Sequence, residues 1–170
     1  LAQKINYELA EGHALLNLGN ANIISGNYPK SLQYFTDAQH LFENLVVKNE
    51  IEKQKGLAKA LGSIGIVFSE QSNYAKALQY HLKAVAIYEE MKDEEKTARV
   101  YNNIGIVYRS QKEDFKALDY FSRAQKLQKR IGDGTVGITT TNIGNLYLQQ
   151  KNYEKAISNN CISSNKSLDG

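Results

Sequence analysis

The stretch YNNIGIVY, residues 101–108, is repeated with variations at three other places in this 170-residue chain. It reads LGSIGIVF at 61–68, TTNIGNLY at 140–147 and, more loosely, LLNLGNAN at 15–22. The central glycines, Gly19, Gly65, Gly105 and Gly144, are 46, 40 and 39 residues apart. A sequence period of this length is typical of repeat architectures, so the chain is predicted to consist of four similar units.

A second block follows each copy of the first. It reads GNYPKSLQYFTDA, SNYAKALQYHLKA, KEDFKALDYFSRA and KNYEKAISNNCIS. Apolar residues in both blocks lie three and four residues apart, which is helical spacing, and no strand-like alternation occurs. Asn, Asp, Gly and Ser separate the blocks, and the single proline, Pro29, lies where a first helical turn tolerates it. Each unit is therefore predicted to be a pair of helices, and the fold class all-α.

The recurring glycine needs a packing reason, because glycine inside a helix costs about 1 kcal/mol relative to alanine. We expect the two helices of a unit to cross closely there, with Gly105 near the small residues Ala117 and Ala124. A helix pair cannot bury its apolar stripe alone, so the units are predicted to stack into a solenoid. The predicted divisions are the end of a preceding repeat at 1–7 and repeats at 8–48, 51–93, 94–133 and 134–170.

Composition excludes several functions. The 21 basic and 18 acidic residues are interspersed, without the basic stripe expected of a nucleic-acid-binding protein. One cysteine, Cys161, excludes an intrachain disulfide, and three scattered histidines argue against a metal centre. No apolar run is long enough to span a bilayer, so membrane contact is not expected. The first residue is leucine, which suggests an excised segment; the compartment stays open, with the cytoplasm slightly favoured.

The pattern resembles the tetratricopeptide repeat (TPR) family. In the third unit the family positions are Ile104, Gly105, Tyr108, Ala117, Phe121 and Ala124. The first unit departs from the pattern at Asn22 and Ser31, and the fourth at Asn160 and Ser163. The spacing near 40 is similar to the extended repeats of kinesin-light-chain-like adaptors and bacterial signalling proteins. The resemblance implies a right-handed α-solenoid of antiparallel helix pairs, whose first helices line a concave groove that holds a peptide or a partner's helix.

Carried over residue by residue, the resemblance implies a peptide-binding groove. Asparagines recur in it, and an amide offers both a donor and an acceptor to a peptide backbone. Three cations would favour an acidic ligand, although scattered surface cations also occur without a ligand. The alternative interpretation of the asparagines is solvated residues, or residues bonded within their own repeat. The candidate groove residues are Asn17, Asn20, Lys59, Ser63, Arg99, Asn102, Asn103, Arg109, Asn142 and Asn145.

The predicted function is a non-catalytic protein-interaction module without a cofactor, forming the sensory or regulatory segment of a larger signalling protein. No nucleophile with a base, acid-base pair or metal cluster recurs on one face, so any catalysis is expected outside this segment. The sequence GDGTVG at 132–137 matches a dinucleotide fingerprint formally, but it follows a helix rather than a strand and is interpreted as a turn between repeats. The alternative function is an architectural segment that associates end to end, without a peptide ligand.

Overall fold

A computed structural model describes residues 2–46, 50–152 and 154–158, and their side chains from residue 7 onward. All regular structure in these ranges is helical. The last helical residues that the structure describes are 154–158, so Cys161 and the departures at Asn160 and Ser163 lie outside the described residues. The helices are α1 (Ala2–Ile24), α2 (Tyr28–Asn44), α3 (Glu50–Glu70), α4 (Tyr74–Glu90), α5 (Glu94–Ser110), α6 (Asp114–Ile131) and α7 (Val136–Gln149).

The helices form two compact units, Leu1–Lys92 and Asp93–Gly170, called unit 1 and unit 2 below. In unit 1, α2 packs between α1 and α3, α4 packs on α3, and α1 also touches α3. In unit 2, α6 packs on both α5 and α7, and α5 touches α7. The predicted all-α class of paired helices is therefore confirmed in both units.

The first helix of the chain is longer than the predicted repeat division allows. Residues 1–7 were assigned to the end of a preceding repeat, whereas α1 runs without a break from Ala2 to Ile24. Residues 2–7 thus extend the first helix of the first pair. The extra residues between Gly19 and Gly65 are accommodated in part by α3, which has 21 residues against 17 in α5. The remaining repeat boundaries stay predictions.

Asparagine and aspartate side chains begin the helices, as the turn sequences predict. The side-chain oxygens of Asn27, Asn73 and Asn152 each accept a hydrogen bond from the backbone N–H three residues later, at 3.3 Å. Asp93 does the same at the start of α5, at 3.0 Å. These bonds satisfy backbone donors that have no partner within the helix. Pro29 lies in the first turn of α2, where its missing N–H costs nothing.

Several helices end at a residue in the left-handed region, and this residue is not always glycine. Gly26 and Gly132 have φ angles of 73° and 68°. Lys112 has a φ of 61°, a left-handed conformation that is unfavourable for a residue with a Cβ atom. Replacing Lys112 by glycine is expected to raise the free energy of unfolding by about 0.5–1 kcal/mol, because the strain exceeds the added unfolded-state entropy. Urea denaturation measures this change. The control Lys126→Gly, at an exposed position inside α6, should lower the free energy of unfolding by about 1 kcal/mol. If both substitutions changed the free energy of unfolding in the same direction, the explanation would be contradicted.

Three of the four recurring glycines, Gly19, Gly65 and Gly105, each face an aromatic ring of the second helix. A Cβ built on Gly105 would lie 2.6 Å from the ring of Phe121, far inside contact distance. Gly19 faces the ring of Phe35 in the same way, at 2.4 Å, and Gly65 faces the imidazole of His81, at 2.7 Å. The close helix crossing is therefore confirmed, and the atoms nearest to the missing Cβ of Gly105 belong to Phe121 rather than to Ala117 or Ala124. The glycine provides the space in which the aromatic residue of the second helix packs.

One ring is held by two glycines. Cβ atoms added at Gly12 of α1 or Gly56 of α3 would lie 2.5 and 2.3 Å from the ring of Phe42. Phe42 is fully buried, so its ring packs against the backbones of both helices. These two glycines lie outside the repeated phrase, and the sequence analysis assigned them no role.

The polar departures from the repeat pattern are satisfied locally. Ser31 replaces the usual alanine in α2, is fully buried, and donates its hydroxyl to the carbonyl oxygen of Gly19 at 2.9 Å. Asn22 replaces an aromatic residue and donates to the carbonyl of Leu18 in its own helix, at 2.8 Å. The exception is His81, which takes the place of the phenylalanine and is 1% exposed, because its Nδ1 has no hydrogen-bond partner in the described part of the chain.

Candidate functional site

The polar residues predicted in unit 2 form a hydrogen-bonded cluster between α5 and α7. Nη1 of Arg109 donates to Oδ1 of Asn142 at 3.2 Å, and Nδ2 of Asn142 donates to Oδ1 of Asn102 at 3.0 Å. The hydroxyl of Thr139 also donates to Oδ1 of Asn102, at 3.2 Å. We call Asn102, Arg109, Thr139 and Asn142 the amide cluster. Each bond joins the first helix of one pair to the first helix of the next.

The amide cluster changes the role expected for Asn142. Each functional atom of its amide already has one protein partner, so only the second N–H and the second lone pair of the oxygen remain for a peptide. Its bonds instead fix the side chains of Asn102 and Arg109. Asn142 is thus bonded across repeats rather than within its own repeat, because Asn102 and Arg109 both lie on α5, the first helix of the preceding pair.

Other polar groups beside the cluster keep their hydrogen-bonding capacity. Asn103 is half-buried, and its amide bonds to no other residue in the described part of the chain. Arg109 is also half-buried; it uses one guanidinium nitrogen toward Asn142 and faces no carboxylate among the described residues. A guanidinium carries five N–H donors, so most of those of Arg109 remain for a ligand or for water.

The two other groove residues of unit 2 differ in their surroundings. Asn145 is exposed on α7. Arg99 is exposed on α5 and lies 3.8 Å from a carboxylate oxygen of Glu95. Hydrogen bonds from the backbone N–H and the hydroxyl of Thr135 lower the pKa of Asp133, and the charge of Arg99 acts in the same direction. The cation with the fewest acidic neighbours is therefore Arg109 rather than Arg99.

The groove residues of unit 1 do not form a comparable cluster. Asn17 and Lys59 are exposed on α1 and α3, and Asn20 is half-buried on α1. Ser63 is only 8% exposed, so its hydroxyl offers little surface to a ligand. The position of Asn142, which is half-buried, is thus occupied in unit 1 by the exposed Asn17 and the buried Ser63.

Thr139 belongs to the amide cluster although the sequence analysis did not select it. It is 1% exposed and occupies the α7 position where α3 has the buried Ala60. Thr139 lies three residues before Asn142 on the same helix. A hydroxyl at such a core position could have indicated a polar contact near Asn142. The groove positions that the family resemblance implies do not include residue 139.

Two other kinds of site are absent from the ranges that the structure describes. No group of three or more His, Cys, Asp or Glu residues there could hold a metal ion. No helix in those ranges combines the length and apolar character needed to cross a bilayer.

The described helices form pairs joined by short turns, and in three pairs a glycine of the first helix faces a ring of the second. These features define an all-α helical-repeat protein. The family model of the tetratricopeptide repeat matches residues 10–90 and 96–160, and the chain belongs to this family. No curated protein matches the chain by sequence.

Solved structures share this fold at low sequence identity. BtubC (BKLC) from P. vanneervenii has a TM-score of 0.75 and 18% identity over 87% of this chain and 59% of its own. Aspartyl phosphate phosphatase F from Bacillus subtilis has a TM-score of 0.85 and 17% identity over 95% and 42%. The Rap conjugation gene regulator of plasmid pLS20, in complex with the Phr* peptide, has a TM-score of 0.74 and 20% identity. The match covers 94% of this chain and 43% of the regulator.

The chain thus spans about half the length of these structures. Their similarity, at 17–20% identity, shows the fold. Together with the family assignment, it supports a protein-interaction module in general. Proteins of this family are typically non-catalytic.

Proposed function

We propose that this chain binds an extended peptide on the wall formed by α5 and α7 of unit 2. The observation that carries the proposal is the amide cluster, in which hydrogen bonds hold Asn102 and Arg109 in place before any ligand arrives. Side chains that are already fixed lose little conformational entropy on binding, which increases affinity.

Asn103 is the residue proposed to contact the peptide backbone. It lies next to Asn102 on α5, is half-buried, and has an amide without a partner among the described residues. A peptide in extended conformation presents alternating N–H and C=O groups, and one asparagine amide can donate to one and accept from the other. Asn142 supports this contact indirectly, because it holds Asn102 and Arg109.

The ligand is proposed to be acidic, and Arg109 is proposed to select it. Its guanidinium is half-buried and has no carboxylate neighbour in the described part of unit 2, whereas Arg99 lies near Glu95. A carboxylate can accept two parallel hydrogen bonds from a guanidinium, which gives both charge attraction and geometric selection. The structure of the pLS20 regulator, a protein of similar fold, contains a bound peptide, which makes a peptide a reasonable ligand class here.

An array of immobilised peptides tests the proposal without a known ligand. Each acidic peptide should be paired with a version that carries Asn and Gln in place of Asp and Glu. The wild-type chain is expected to bind a subset of the acidic peptides. Asn103→Ala should weaken the selected peptides by about tenfold, because one hydrogen-bonded amide contributes about 1.4 kcal/mol.

Arg109→Gln should weaken the acidic peptides several-fold and leave their neutral versions nearly unchanged. The binding difference between wild type and Arg109→Gln should also shrink as salt is added, because screening weakens charge attraction. Lys126→Gln, which removes an exposed cation from α6, is the matched control and should bind like wild type. Equal losses for Arg109→Gln and Lys126→Gln, or none for Asn103→Ala, would contradict the proposed site.

We further propose that this binding is used for regulation within a larger protein. The structures of similar fold are about twice as long as this chain, and one of them is a gene regulator. Any catalytic activity of the larger protein would lie in another domain.

A further inference from the structure

One aliphatic side chain lies open beside the amide cluster. Ile138 is on α7, one helical turn before Asn142, and is 62% exposed. It is not part of the hydrophobic cluster that Ile143 and Leu146 of the same helix form with α6. Residues four positions apart on a helix lie on the same face, so Ile138 shares the face of Asn142. The wall of α5 and α7 therefore carries an apolar side chain next to its polar groups.

The openness of this position is a property of the wall. The equivalent residues of the three preceding pairs are His13, Lys59 and Arg99, and all three are exposed. The second helices of those pairs, α2, α4 and α6, are described and leave the position open. The three pairs place an imidazole, an ammonium and a guanidinium group there. The fourth pair alone places an aliphatic side chain at this point of the wall.

The separation between Ile138 and the guanidinium of Arg109 follows from two contacts. Nη1 of Arg109 lies 3.2 Å from Oδ1 of Asn142, so the guanidinium lies beside Asn142. One turn of α7 separates Asn142 from Ile138, and Cβ atoms four positions apart on a helix are about 6 Å apart. In an extended peptide, side chains two positions apart lie on the same side, about 6.7 Å from each other. The two separations match.

We propose that Ile138 binds an aliphatic side chain of the peptide, two positions from the acidic residue that binds Arg109. This inference rests on the proposed function and adds the second side chain that the site selects. The residue between the two points away from the wall, because successive side chains of an extended chain face opposite sides. The ligand class is therefore a peptide in which an acidic and an aliphatic residue are separated by one residue of any kind.

The two contacts select different peptide positions by different physical effects. Arg109 attracts a carboxylate, whereas an aliphatic side chain placed on Ile138 removes the apolar surface of both residues from water. A polar residue at the second position would lose this burial. The pair of contacts thus explains why only a subset of acidic peptides is expected to bind.

Single replacements in the strongest peptide of the array test the inference. Each of the two positions before and after the acidic residue is changed in turn to Leu, Ser and Asp. Leu in place of Ser is expected to strengthen binding to the wild-type chain about fivefold at one of the two positions that lie two residues from the acid. The same exchange at the two adjacent positions should leave the affinity nearly unchanged.

Variants of Ile138 assign the effect to this side chain. Ile138→Thr keeps the β-branched shape and should abolish the preference for Leu over Ser, while the preference for acidic peptides stays because Arg109 is unchanged. Ile138→Arg introduces the side chain that Arg99 has at the equivalent position and should change the preference at that peptide position from Leu to Asp. The matched control Ile24→Thr makes the same exchange at a residue that is 88% exposed at the end of α1, and should bind like wild type.

The outcomes distinguish this inference from the proposed function. The inference is wrong if Arg109→Gln removes the acidic preference but Leu is not preferred two positions from the acid, or if Ile138→Thr keeps that preference. The proposed function would then stand without it. If Arg109→Gln and Asn103→Ala both bind like wild type, the proposed function fails and the inference fails with it. Circular dichroism of each variant confirms that it is folded.

Discussion

Replacing Gly105 by alanine is expected to lower the free energy of unfolding by about 2 kcal/mol. The added Cβ would lie 2.6 Å from two ring carbons of Phe121 and 3.1 Å from a third. Phe121 is fully buried, so its ring cannot swing into solvent, and either the ring or the helix must move. Overpacking of this kind costs 1–3 kcal/mol or more, which exceeds the gain of about 1 kcal/mol in helix propensity.

Gly62→Ala is the matched control and should have the opposite sign. Gly62 also lies inside a helix, but a Cβ there would meet only the Cβ of Ala84, at an ordinary contact distance of 3.8 Å. Its replacement should therefore raise stability by up to about 1 kcal/mol through helix propensity. Urea denaturation of both variants measures the difference. Stabilisation by both substitutions would show that the glycine is not needed to accommodate the ring.

Acid is expected to destabilise the protein through His81. Burial lowers the pKa of this imidazole from 6.5 to about 4, and its Nδ1 has no hydrogen-bond partner. The folded state therefore binds fewer protons than the unfolded state between these two pH values. The free energy of unfolding is therefore unaffected by His81 above pH 6.5. It decreases as the pH falls from 6.5, and the decrease is complete below about pH 4.

The expected loss from this histidine is about 2 kcal/mol at pH 5 and about 3 kcal/mol below pH 4, at 1.36 kcal/mol for each pKa unit. Carboxylates also titrate in acid, so the variant His81→Phe is needed to isolate the effect. Phenylalanine occupies the equivalent positions 35 and 121, each against a glycine, and should fit against Gly65. The variant should also gain about 1 kcal/mol at pH 7, because it removes a buried unsatisfied nitrogen.

The measurement is the free energy of unfolding of wild type and His81→Phe between pH 4 and 7.5. The difference between them should grow as the pH falls. His40→Gln serves as the control, because the side chain of His40 is 67% exposed. Parallel pH curves for wild type and His81→Phe would contradict the assignment of the acid sensitivity to His81.

The sequence was sufficient for the fold because the same chemistry is written several times. Helical spacing, a glycine in each first helix and an asparagine before three of the four second helices agree with one another, so each repeat supports the next. The partner of the glycine was not predictable in this way. Both Ala117 and Phe121 lie on the α6 stripe, and only the rotation of one helix against the other decides which of them meets Gly105.

The candidate site was less predictable than the fold. The repeat pattern places Asn103 and Asn142 at equivalent positions, which suggested equivalent roles. Their neighbours differ, because Asn142 meets side chains of α5, whereas Asn103 has no hydrogen-bond partner among the described residues. A hydrogen bond between residues 33 or 40 positions apart depends on side-chain length and rotamer at both ends, which helical periodicity does not specify.

The central claim is that the wall of α5 and α7 in unit 2 binds an extended acidic peptide. The most direct test is NMR of asparagine side-chain amides during titration with the strongest peptide from the array. The resonances of Asn102, Asn103 and Asn142 are expected to shift together with saturation, while that of Asn44, which donates to the carbonyl of His40 on α2, stays in place. Saturable binding that leaves the α5 and α7 amides unshifted would contradict the claim.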